Sequence, residues 1–365
     1  MYIQEGTIRS AQEAIATINP TKNEAVFCFV GEKHSMDLPE MVNTLQREDG
    51  PVIGAVFPSV IGGGTKSESG MVLKKETLAG TPVLIREMSS VNSIDHCDFS
   101  DWENVETVMI LLDGLSTNIG QLLSLVYNKW GNKVHYVGAG AGSLSLVQMP
   151  CLFIEGELVQ DAAILIPMGK KYGIGVDHGW DIFRGPLIAN KTDGNSIIEL
   201  NWRNAFEVYA ELVEAETETK IIAEDFFDTA KAFPLGFPKQ RGAQVVRDPI
   251  SVDEKGVIHC IGAVPENTVL QVLKGDAESI VSAAQNAGHM AIKQGGKNKD
   301  GIVFDCISRV LFLAEDFKKE LAALQDLDGN PLDLEGALTM GEISSPGEGY
   351  LELYNKTIVI ALPYE

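Results

Sequence analysis

The sequence is poor in cysteine, in basic residues and in long apolar runs, and each shortage removes a class of function. Five cysteines (Cys28, Cys97, Cys151, Cys260, Cys306) lie far apart in 365 residues, and none forms a CxxC pair. So odd and sparse a set excludes a disulfide scaffold and a cysteine-ligated zinc framework, and reads as reduced thiols in a cytoplasmic protein. Lys and Arg total 29 against 51 Asp and Glu, a net charge of −22. Nucleic acid and anionic membrane surfaces both need clustered cations, so neither is an expected partner. The longest apolar runs, such as AAILIPM at 162–168, fall far short of the roughly 20 residues of a membrane span. The opening MYIQEGTIRSAQEA has neither the basic start nor the apolar core of a signal peptide.

What is present is a normal packed chain. The hydrophobic fraction of 45% is enough to bury a sizeable core. Strand and helix patterns repeat in the first half. Ala25–Val30 reads as a buried strand, Leu38–Gln46 as a short helix and PVIGAVFP as a strand, with MVLKKE and TPVLIREMS as a hairpin. From Val105 the order returns. VETVMILLDG is a strand, and Ile119, Leu122, Leu123, Val126 and Trp130 make one helix face between Asn118 as N-cap and Gly131. VHYVGAGAG, CLFIEGELV and AAILIPM follow as strands. The expected architecture is mixed α/β. An N-terminal domain at 1–200 holds an internal βαβββ repeat, and a second mixed domain spans 201–365. YGIGVDHGWDIF reads as one strand, and Asp276 as the cap of a helix through Ile280, Val281, Ala284 and Ala287. Between Glu199 and Asp228, nine acids face two bases. This is a solvated helix face or a docking surface for a basic partner.

No GxSxG, HExxH or P-loop pattern occurs. GAGAG at 138–142 follows a strand, yet SLSLVQMPCLFI after it reads as loop and strand. The helix that would present amides to a pyrophosphate is missing, and close backbone approach is the expected role. His178 in Asp177-His178-Gly179-Trp180 is either a structural histidine or an axial ligand for haem. Cys306 lies where a strand becomes a helix. The helix terminus and Arg309 on the same face would lower its pKa, but the favoured reading of the pattern is a buried inert thiol. Glu342, set among apolar strand residues, needs a buried partner, with Arg247 and Arg309 as candidates. An Arg fork could instead take a ligand carboxylate while Glu342 takes an ammonium group, the chemistry an amino acid requires.

These residues fall in an ordered series of short motifs. MILLDGLS at 109–116, YVGAGAGS at 136–143, IEGELVQDAAILIPM at 154–168 and GVDHGW at 175–180 resemble the FIST N domain. FPLGF at 233–237, VVRDP at 245–249, FDCISR at 304–309, MGEIS at 340–344 and YNKT at 354–357 resemble the FIST C domain, where Lys356 stands in place of a frequent Gln. The resemblance implies a cytoplasmic, non-enzymatic sensor of a small molecule such as an amino acid. It also implies signalling through a separate protein such as a histidine kinase or a cyclic-dinucleotide enzyme. A haem-binding nitric oxide sensor using His178, and a thiol enzyme using Cys306, are the alternatives. The expected ligand site gathers Arg247, Cys306, Arg309, Glu342 and Asn355 around a cleft, with no metal and no cofactor.

Overall fold

A computed structural model describes residues 1–218, 220–238, 244–296, 299–327, 329–345 and 350–364. They form four sheets in a mixed α/β arrangement. Three of these sheets are built to one plan. Each centres on a parallel pair joined through helix: Glu24–Gly31 with Val52–Phe57, Thr107–Asp113 with His135–Ala141, and Asp300–Cys306 with Asp333–Thr339. Against the first strand of each pair lies an antiparallel return strand, respectively Met71–Thr77, Ala163–Met168 and Ile358–Pro363.

The strand that follows each pair crosses to another copy. Ser59–Gly62 pairs with Asp333–Thr339, Leu152–Ile154 with Val52–Phe57, and Glu342–Ser345 with His135–Ala141. Every copy therefore gives a strand to one neighbour and receives one from the other, a closed threefold exchange. The βαβββ order read in the first half is two turns of this cycle, and the third turn lies in the second half. It is interrupted after Tyr172–Asp177 by the fourth sheet, whose antiparallel strands run from Trp180–Ala189 to Thr268–Gly275.

Inner faces of the three related sheets meet in one core. Phe29 packs at 5.5 Å from Phe57 and 5.8 Å from Phe304, joining two sheets. Met109, Val137 and Ile164 add the third. The fourth sheet has its own core under the helix Ala205–Thr217, with Tyr209 and Phe226 at its centre.

Local expectations hold where side chains alone decide. The helix Ile119–Trp130 ends at Gly131 in a positive-φ conformation, and Asp276 accepts the Ser279 amide as cap of Ala277–Lys293. Asn118 stands at the N-cap but gives its side chain to the Ser89 carbonyl instead. Two expectations are corrected. MVLKKET and Val83–Ile85 are not a hairpin, because the first joins Glu24–Gly31 and the second joins Ala163–Met168. YGIGVDHGWDIF is two strands, broken where Gly179 adopts φ +83° and the chain passes into the fourth sheet.

Candidate functional site

The carboxyl ends of the third parallel pair open into a cavity of about 240 Å³. Loops leaving the carboxyl ends of parallel strands diverge, which makes such ends natural ligand sites. Cys306 and Thr339, direct register partners, stand at its floor with Met340. The short helix Ile307–Leu313 contributes Ile307, Ser308 and Leu311. The fourth sheet closes another side with Asp248, Ile250 and Ile261, and Leu144 and Leu146 reach over from the loop after His135–Ala141. The site is thus assembled by three separate parts of the fold.

Its polar wall is a buried network. Ser308 Oγ donates to Asp248 Oδ2, and Asp248 Oδ1 lies 3.1 Å from Lys356 Nζ. Lys356 Nζ also donates to the Lys231 carbonyl at 3.0 Å and sits 5.2 Å from the Trp180 ring. A left-handed φ of +55° at Lys356 turns the chain so that Asn355 faces the cavity while the lysine runs behind it. Asn355 is 1% exposed, and its Oδ1 takes no hydrogen bond from the protein. A buried amide oxygen without a donor loses the hydration it had in the unfolded chain, a cost that a ligand donor would remove.

Two of the five expected site residues, Cys306 and Asn355, line this cavity. Glu342 lies behind it, where Thr339 Oγ1 donates at 2.5 Å and the Thr357 amide at 3.3 Å. Burial pushes the Glu342 carboxyl up to about 8 against these bonds. The expected Arg–Glu342 pair does not form. Arg309 donates to Glu320 at 2.8 and 3.2 Å and to the carbonyls of His178 and Ile280. Arg247 donates from Nε and Nη1 to the Ala263, Val246 and Leu353 carbonyls, over the Phe237 ring. Side chains of neighbouring strand residues point to opposite faces, so Arg247 turns away from the cavity and Asp248 turns toward it.

At Cys306 the inert reading holds and the activated one does not. Burial, with Glu342 and Asp248 beside it, raises the thiol well above its ordinary value, so the helix terminus does not make it a thiolate at neutral pH. His178 is a poor haem ligand by geometry. Its Nδ1 accepts the Trp180 amide at 3.0 Å, which puts the ring proton on Nε2 and leaves no lone pair there. Burial also holds His178 below its usual pKa. Among the described residues no cluster of three metal-ligating side chains occurs, and no helix is long and apolar enough to cross a membrane.

Sequence reasoning missed Asp248, Ser308 and Lys356. Their signal was a pair of opposite charges inside the apolar strand VVRDP and a lysine in the YNKT turn. Strand phase decided the face of Asp248, and a left-handed turn decided that of Lys356.

Two family models match the chain: the FIST N domain over residues 24–203 and the FIST C domain over 205–345. No curated protein matches it.

Proposed function

Because the chain belongs to the FIST family, whose domains are associated with signal transduction and small-ligand sensing, we propose that its ligand occupies the cavity between Asp248, Cys306 and Asn355. The supporting observation is the unpartnered Asn355 Oδ1, buried in a space otherwise walled by Ile250, Ile261, Leu311 and Met340. Such a site asks for a small molecule with a hydrogen-bond donor at one end and an apolar body. An amino acid offers both, in its ammonium group and side chain. The protein then acts in the cytoplasm, where its five free cysteines stay reduced. Its output runs through a separate signalling protein such as a histidine kinase or a cyclic-dinucleotide enzyme. The cavity suits that role because it spans the fourth sheet and the three-sheet body, so a ligand's affinity depends on how the two are set.

A thermal-shift screen with free amino acids tests this reading. A ligand at 100 times its Kd adds about 2.7 kcal/mol of stability, which Leu311→Trp, filling the cavity, abolishes. A screen with no stabilising compound, or shifts that persist in Leu311→Trp, would sink it.

A further inference from the structure

The loop at 143–150, which leaves the carboxyl end of His135–Ala141, borders two cavities. Leu144 and Leu146 line the one described above, and Val147 and Met149 line a smaller one of about 50 Å³ beside Glu32 and Asp113. Residues 144–150 are all exposed, and these four large apolar side chains are 41–61% exposed. Polar anchors set the loop's shape. The Leu144 amide donates to Glu32 Oε2 at 2.8 Å, and Gln148 Nε2 donates to the buried Asp113 Oδ2 at 2.8 Å and to Ser116 Oγ at 2.9 Å. The Leu146 and Val147 amides bond back to Ser143 and Ser145. Polar groups thus point inward while a run of apolar side chains stands in water, a pattern that marks a contact surface. Charge around it has one sign. Among the described residues neither cavity is lined by a lysine or arginine, and burial holds His34, the one histidine there, below its usual pKa. Phe227, on the wall of the larger cavity, is flanked by exposed Glu224, Asp225 and Asp228, the last 3.6 Å from Lys231.

We propose that this loop is the docking surface for a partner protein, which presents a basic amphipathic helix to it. The inference rests on the reading that the chain signals through a separate protein, and not on which ligand fills the cavity. The Leu144, Leu146 and Val147 amides are already bonded, so an added strand finds no donors among them. Contact is made through side chains, which a helix displays as an apolar stripe. Leu144, Leu146, Val147 and Met149 lose water against that stripe, while the lysines or arginines flanking it face Glu32, Glu224 and Asp225. A second copy of this chain, at −22, and an anionic lipid surface both bring the same sign and are repelled. Leu144 and Leu146 also belong to the wall of the proposed ligand site, so the docking surface and that site share two side chains.

Fluorescence-anisotropy titration of the full chain with labelled synthetic peptides decides the question. One peptide carries leucines on one helix face and lysines on the other, a second scrambles the same composition, and a third has glutamate in place of lysine. The amphipathic basic peptide binds about tenfold or more tightly than the scrambled one and weakens as salt rises, and the acidic peptide does not bind. Val147→Ser/Met149→Ser, two exposed positions outside the larger cavity, cuts that affinity about tenfold and leaves the melting temperature unchanged. Glu224→Lys/Asp225→Lys also weakens binding and flattens its salt dependence. Equal binding of the amphipathic and scrambled peptides, or a loop variant that binds like the wild type, overturns the inference and leaves a basic partner to another acidic face. If no peptide binds, the docking surface falls while the cavity reading stands, because no ligand enters the titration. Sedimentation velocity and flotation with phosphatidylcholine–phosphatidylglycerol vesicles test the other occupants. Dimerisation or vesicle binding that is lost in Val147→Ser/Met149→Ser gives the face to a second copy or to lipid, and overturns the inference too.

Discussion

Among the described residues Glu342 forms no ion pair, and Arg309 only weakly favours its charged form from a distance. Two hydroxyl- and amide-borne hydrogen bonds hold a carboxyl that burial keeps protonated to about pH 8, against 4.5 for an unperturbed group. A group whose folded pKa is raised contributes stability that is complete below the unfolded value and is lost as pH climbs through the folded one. Between pH 4.5 and about 8 the native state therefore holds the extra proton, and Glu342 alone lowers stability by up to about 1.4 kcal/mol per pH unit as pH rises. Glu342→Gln keeps the shape and removes the titration. Urea denaturation at pH 5, 6.5 and 8 should show the wild type losing ground to the variant across that window, and parallel curves would refute the assignment. Arg309 is the opposite case. Burial works against its charge, yet Glu320 and Asp305 outweigh it and hold the guanidinium above its usual value. Asp305 Oδ1 lies 3.0 Å from Nε but off the N–H direction, so neither of its oxygens takes a hydrogen bond. Arg309→Ala strands Glu320 beside Asp305 in the core and should cost about 3–5 kcal/mol in the same assay. That Glu342 and Arg309 are buried was legible from their apolar neighbours. Their partners were not, because Glu320 sits in FKKELAALQ, where nothing distinguishes a buried glutamate from a solvated one.

At the scale of elements, one glycine recurs. Gly54, Gly138 and Gly336 occupy matching places in the second strand of each parallel pair, opposite Cys28, Ile110 and Val303. A Cβ at these positions would lie 2.1, 2.1 and 1.7 Å from the carbonyl oxygen of that partner residue. The three ladders therefore share a close backbone approach, and GAGAG owes its second-strand glycine to it rather than to a nucleotide. Gly336→Ala forces the strands apart and should cost about 1–3 kcal/mol or more in thermal denaturation. Gly120→Ala, on the exposed face of Ile119–Trp130 with nothing within 4 Å, should instead stabilise by about 0.5–1 kcal/mol. Equal and small effects at both positions would dismiss the steric argument. Helices such as Ile119–Trp130 and Ala277–Lys293 were legible because 3.6-residue stripes and caps are local. Which strand pairs with which was not, since pairing is chosen by partners fifty or more residues away, as between Ser59–Gly62 and Asp333–Thr339.

The whole molecule joins its threefold body to the fourth sheet across buried charge. Two copies of the repeat could be read from strand and helix order, while the third escaped because Trp180–Gly275 is inserted into it. The matched family models meet near residue 204, inside the fourth sheet, between Ser196–Leu200 and Ala205–Thr217. Sequence motifs thus run along the chain while the sheets draw strands from both parts. The cavity lies on that join, where Asp248 of the fourth sheet meets Ser308 and Lys356 of the body. Asp248 is 1% exposed and Lys356 fully buried, so removing either one leaves a charge in the core. Each of Asp248→Asn and Lys356→Met should cost about 3–5 kcal/mol, whereas the pair of changes together should approach wild-type stability, because the desolvation penalty leaves with the attraction. Urea unfolding of the four proteins measures this as a coupling energy. Additive costs would mean that Asp248 and Lys356 do not sense each other, and that the fourth sheet is held to the body by its apolar contacts alone.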